Sequence, residues 1–249
     1  MIDIRPFASL GHANHGWLDA RHHFSFANYH DPDRMGWGNI RVWNDDTIQG
    51  QSGFPPHPHR DMEIVPWVLR GSLVHQDSTG HSGVIYPGLA QRMSAGRGIL
   101  HSEKNDSWTL TGEQSHSEPV HFVQMWVVPD ESGITPGYQQ LEIDDELLRG
   151  NLVTIASGMP EHRDAAAITI SNRYAALHGA RLQAGQSVQV PDAPYLHLFV
   201  AQGDVTLEGA GALEQGDAVR FTASGGQRVT ATAPAEILVW EMHAGLTAA

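Results

Sequence analysis

His57 and His59 are separated by a single proline, and His101 and Glu103 by a single serine. In an extended strand, residues i and i+2 leave the backbone on the same face. Two such strands, each offering a pair of donors, can converge on one metal ion. Three imidazoles and a carboxylate suit a borderline first-row divalent ion such as iron, nickel, zinc, copper or manganese. An ion that prefers five or six ligands keeps one or two positions open on four protein donors, which invites an exogenous ligand and chemistry. A closed structural site would more often be tetrahedral and rich in thiolate. This chain has sixteen histidines and no cysteine, so thiolate ligands and disulfides are excluded. Among sixteen histidines a lone His-x-His is weak evidence, and His22-His23 is a chance neighbour pair. Two pairs that both preserve a face, in order and a strand-turn-strand length apart, are harder to explain as surface histidines.

The surrounding residues say how these donors are held. The apolar run Ile64 to Leu69 reads as a strand ended by Gly71, and Pro87-Gly88 opens a second turn. Ser94-Ala-Gly-Arg-Gly98 allows a sharp bend just before His101. Met62 to Val74 is rich in apolar residues, as expected of strand buried in a barrel, and His75 to Gly80 has the composition of a hairpin turn. Glu63 falls four residues after His59 and should share its face. It reads as a supporting group, an alternative ligand or a solvated edge charge. Phe122, Gln124 and Trp126 share one face of the strand Phe122 to Val128; that face lines a cavity or packs a core. Asn39 to Trp43 alternates as a strand with one buried face. His12, His15, His22, His23 and His30 read as loop or hydrogen-bonding residues, of which one or two could line the mouth of a pocket. Pro129 to Pro136 is a turn-rich break, and Asp144 to Arg149 a short helical turn with acid early and base late.

The second half repeats the first without its donors. Val200 to Gly203 matches Val68 to Gly71, Leu213 to Gly216 matches Ile85 to Gly88, and Ile237 to Met242 matches the closing strand at Phe122 to Val127. This alignment sets Gln189 and Pro191 where His57 and His59 stand, and Val229 and Ala231 where His101 and Glu103 stand. His178, His197 and His243 remain as isolated histidines.

The wording HPHRDMEIVPWVLRG with SAGRGILHSE, together with the opening GHANHGWLDARHHFSFANYHDPDRMGWGNIRVWNDD, resembles the pirin family of the cupin superfamily. The likeness is strong over residues 10 to 140 and weaker beyond. It implies an all-β bicupin of two jelly-roll-like barrels with a few short helices: a metal-binding domain over 1–135 and a degenerate domain without metal ligands over 136–249. Dense Gly, Pro and Asp turns between short strands point to an all-β chain on their own. In the general cupin pattern Glu63 is often the fourth ligand; in pirin-like proteins that place falls to Glu103. The resemblance further implies HFSF as a first strand. It implies one divalent metal, Fe(II) foremost, with Ni, Zn, Cu, Mn or Co also accommodated. It implies a dioxygenase that opens a quercetin-like flavonol with dioxygen, Glu103 serving as ligand and proton acceptor. The alternative it carries is an iron-dependent, redox-sensing regulator that binds a transcription factor or metabolic enzyme.

A formal charge of −13 with no basic run argues against direct binding of nucleic acid. No apolar run approaches the roughly 20 residues that span a bilayer. The start, MIDIRPFASLGHANHGWLDARHH, lacks the apolar core of a secretory leader. A cytoplasmic protein is the expectation. Native metal, natural substrate, oligomeric state and partner are not written in the residues.

Overall fold

The computed structural model describes residues 1–106 and 116–246. The chain is almost wholly strand; its longest described helix is the single turn Asp144–Leu147. No described helix is long and apolar enough to cross a membrane.

Two compact units divide the chain. One comprises residues 11–35 and 41–142, the other residues 1–10, 36–40 and 143–249. Each unit is built on a seven-stranded and a four-stranded sheet, the two-layer plan of a jelly roll. The boundary differs from the one expected at 135/136, and strand pairing gives the reason. Gly137–Glu142 pairs with Leu89–Ser94 and so completes the large sheet of the first unit. Ile2–Arg5 pairs with Ala218–Phe221 and so occupies the edge of the large sheet of the second.

The internal repeat is visible in the backbone. Gly71 and Gly203 turn with φ of 77° and 69°, and Gly88 and Gly216 with φ of 88° and 89°. L-residues with a Cβ resist this left-handed region, so glycine at each turn lets the strands reverse at matched places. The register corrects the alignment of the second half by two residues. Glu103 pairs with His75, four residues beyond Gly71, and Val229 pairs with Leu207, four beyond Gly203. Val229 therefore stands where Glu103 does, and supplies no donor there.

Apolar residues take that space in the second unit. Val190, Val205, Leu207, Val229 and Ala231 join one continuous buried cluster with Leu198, Phe221 and Val239. In the first unit, Phe54 packs on the cluster around Leu73 and Phe122, and Trp126 packs on another around Ile64 and Met93. The histidines touch both Phe54 and Trp126.

Two local expectations change. HFSF is not a strand: Phe26 and Tyr29 close a tight turn by bonding each other's backbone, 3.0 and 2.9 Å. Ile40–Ile48 is a strand buried on both faces rather than one, and it lies inside the large sheet between Val120–Val127 and Leu18–His22.

Candidate metal centre

Gly53–His59 and Ile99–Asn105 are antiparallel neighbours in the small sheet of the first unit. His57 pairs directly with His101, and His59 with Ile99. The period of two holds in both strands, so the three rings meet: their centroids lie 4.5 to 4.8 Å apart. One donor atom from each of His57, His59 and His101 falls within 4.8 Å of the others. The ladder slips opposite His101 and Glu103: the extra residue lies in Gly53–His59, between Phe54 and His57, while Ile99–Asn105 keeps an unbroken register with Leu73–Asp77. Gly53 permits the slip. A Cβ there would sit 2.4 Å from Lys104 Cα and 2.5 Å from the Glu103 carbonyl oxygen.

The rings are set up as ligands. His57 Nδ1 lies 2.8 Å from the Pro55 carbonyl oxygen, which only accepts, so Nδ1 carries the proton and Nε2 keeps its lone pair. His101 is 2 % exposed, and its Nε2 is buried with no hydrogen-bond partner among the described residues. Burial, reinforced by the neighbouring imidazoles, pushes His59 and His101 down to about 3. Both are neutral, and therefore able to bind a cation, across the physiological range. A buried nitrogen without a partner beside two further lone pairs is the pattern a first-row divalent ion satisfies.

Glu103 is buried, with Oε2 4.0 Å from His101 Nε2, and stands outside the tight three-imidazole cluster. Gln124 donates to the same Oε2 at 2.7 Å. Burial raises the Glu103 pKa, against the pull of Gln124, His75 and His57. Glu63 is held elsewhere. The chain turns at Arg60–Met62, with Asp61 at φ 48°, and His59 and Glu63 then fall in different sheets. The shared face expected from their spacing is lost at that turn. Glu63 is fully buried rather than a solvated edge charge, and accepts from Ser94 Oγ at 2.9 Å.

A cavity of about 130 Å³ opens on the cluster, walled by Phe26, Phe54, Asn44, Asp46, Gln124 and Trp126 with His57, His59 and Glu103. Phe122 packs in the core instead. Spacing alone had not singled out Phe26, Phe54, Asn44, Asp46 or His75. Asn44 and Asp46 are an i, i+2 polar pair on a strand otherwise buried, which is a signal. Asp46 is buried, and its pKa is pushed well up by burial and by the nearby charges of Asp45, Glu103 and Asp19. His75 lies behind His101, their Nδ1 atoms 3.5 Å apart, and its Nε2 meets Asp77 at 3.3 Å.

The pirin profile matches residues 4–127 and a profile described as the quercetinase C-terminal cupin domain matches residues 154–242. A Mycobacterium tuberculosis protein, provisionally named a quercetin 2,3-dioxygenase, is 60 % identical over 98 % of this chain and 96 % of its own. The chain belongs to the pirin family. An Escherichia coli relative named quercetin 2,3-dioxygenase is 42 % identical, covering 85 % of this chain and 86 % of its own. The Escherichia coli pirin YhhW, solved in complex with nickel(II), superposes with a TM-score of 0.85 at 34 % identity, over 99 % of this chain and 100 % of that one. Pirin architecture thus accounts for both units, and the three-imidazole cluster lies within the segment matched by the pirin profile.

Proposed function

We propose that this pirin is a metal-dependent dioxygenase that opens the central ring of a flavonol of the quercetin type, with Fe(II) at His57, His59, His101 and Glu103. The observation that carries the reading is the set of three imidazoles closing on one point beside an aromatic-walled cavity. The names of the relatives supply the substrate class. The nickel complex of YhhW supports a divalent ion at this fold.

When bound, the metal supplies a Lewis-acid position that lowers the pKa of the flavonol 3-hydroxyl and a redox partner for dioxygen. The protein's own residues do the rest. His57 and His101 are held to one orientation by the Pro55 carbonyl and by the packing of His75. Gln124 fixes Glu103 Oε2. A carboxylate whose pKa is raised by burial is a better base than a solvated one, so Glu103 takes the hydroxyl proton. Asp46, whose pKa burial pushes well up, lines the same cavity. Phe26, Phe54 and Trp126 give the cavity aromatic walls suited to a planar ligand.

The cavity is smaller than the roughly 300–1,000 Å³ usual for ligand sites, so its floor receives the chelating edge of the flavonol. Phe26 and Trp126 also wall a cleft of about 310 Å³ lined by Tyr29, Met35, Arg41 and Met62. The rest of the ligand would lie toward that cleft.

The test is dioxygen uptake with quercetin by metal-free protein reloaded anaerobically with ferrous iron, beside His57→Ala. Uptake with release of carbon monoxide, lost in the variant, is the expected result. Stoichiometric iron binding without uptake would sink the reading.

A further inference from the structure

The second unit carries a cluster that the repeat does not foresee. His178 lies on the strand Ala175–Leu182 and Glu241 on the adjacent strand Ala235–Met242. His178 pairs with Val239, so Glu241 is its diagonal neighbour on the same face. His162 ends the short helical turn Pro160–His162, and His243 follows the last strand. The histidines read from sequence as isolated therefore include two, His178 and His243, that are brought to one carboxylate.

The contacts are specific. His178 Nε2 and His162 Nε2 approach the same oxygen, Glu241 Oε2, at 3.0 and 3.3 Å. His243 Nε2 meets the other oxygen, Oε1, at 2.8 Å. One donor atom each from His162, His178 and Glu241 lies within 4.8 Å of the other two. Thr154 Oγ1 stands 3.2 Å from His178 Nδ1, the outer hydrogen bond that orients a ligating imidazole and leaves Nε2 facing inward. His178 and Glu241 are buried, while His162 is 25 % exposed on its side chain and leaves a path from solvent.

We propose that His162, His178 and Glu241 form a second metal site, for a divalent ion of the zinc class, with His243 holding the Glu241 carboxylate in place. Bonds of about 2.0–2.2 Å in a tetrahedral site set donor atoms roughly 3.3–3.6 Å apart. The two separations to Glu241 Oε2, 3.0 and 3.3 Å, need only a slight opening to admit the ion. Two imidazoles and a carboxylate bind zinc without cysteine, and leave a fourth position to water. The site ties the 160–162 turn to two core strands. It is made of other strands than those equivalent to the donor strands of the first unit, whose counterparts here are apolar. A polar network in which the three imidazoles merely share protons with Glu241 is the competing account.

Zinc chloride and the full chain, stripped of metal, separate the two. Zinc retained after dialysis is measured by elemental analysis for the wild type, for His57→Ala/His59→Ala, for His162→Asn and for Glu241→Gln. Each variant is first checked for its native circular dichroism. His162 is partly exposed in a turn, so its variant retains the fold even if Glu241→Gln does not. The expected result is about two zinc ions per chain in the wild type, about one in the first-unit variant, and none once His162→Asn is added to it. Stoichiometry unchanged by His162→Asn, with the first-unit variant abolishing all binding, would overturn the proposal. Cobalt(II) gives a second readout: in the first-unit variant, the visible band of a tetrahedral complex should appear and vanish with His162→Asn. Absence of that band in a folded first-unit variant that also binds no zinc would likewise overturn it.

Discussion

At the residue scale, the metal centre depends on the partners of its donors. Gln124 donates to Glu103 Oε2 at 2.7 Å, and both residues are buried. Gln124→Leu keeps a similar volume and leaves the carboxylate without that donor. Loss of an outer partner typically weakens a metal site about 10–100-fold, so nickel(II) titration of the variant should show an affinity lower by that order with the fold intact. Equal affinity would mean that Glu103 is not part of the donor set. Glu103→Gln removes the base and a charged donor together: turnover should fall at least about 100-fold, with circular dichroism and melting of the metal-free protein little changed. The i, i+2 donors were legible because a strand's period of two is local and survives any tertiary arrangement. Asp46, His75 and Phe26 reach the site from other strands and a turn. Only closure of the sheets brings them there, and no local spacing records it. Glu63 misled for the complementary reason, since one left-handed residue at Asp61 resets the face.

At the element scale, two strands must approach within backbone contact where the ladder slips. A methyl at Gly53 would overlap the backbone of Glu103 and Lys104, not the end of a flexible side chain. Gly53→Ala should therefore force the strands apart, at a cost of about 1–3 kcal/mol typical of overpacking. Urea unfolding measures that cost, and metal affinity should drop with it because His57 and His101 sit on the two separated strands. Unchanged affinity would show that the bulge is not what aims the donors. The turn glycines of the repeat were readable as words in the sequence. The two-residue register in the second half was not, because register is set by which side chains fill the barrel, and Val229 fills it at the position of Glu103.

At the scale of the whole molecule, buried imidazoles couple stability to acid. His197 is fully buried, and burial together with the charge of Arg220 pushes its pKa well below the usual range. The unfolded chain takes up that proton below about pH 6.5 and the native chain does not. The unfolded state then binds more protons, so stability falls as pH falls, by up to about 1.4 kcal/mol per pH unit for this one group. Asp46 and Glu103, with raised values, act in the opposite sense on the acid side. The difference between wild type and His197→Asn isolates the imidazole: the variant's urea midpoint should decline less between pH 7 and 5, and parallel declines would refute the assignment. The division into units was the least legible feature of all. An edge strand borrowed from far away in sequence leaves no mark on composition or periodicity.

That borrowed strand bears on how the molecule is made. Ile2 pairs with Phe221, so synthesis delivers one partner 219 residues before the other. The first unit can finish once Glu142 has left the ribosome. Until the last third of the chain emerges, the four residues at Ile2–Arg5 remain an unmatched edge, open to whatever strand arrives first. A chain whose translation stalls between the two units would carry a complete metal-binding barrel and a loose, pairing-competent end. The order of translation thus opposes the order of assembly, and a segment made early is among the last to find its place.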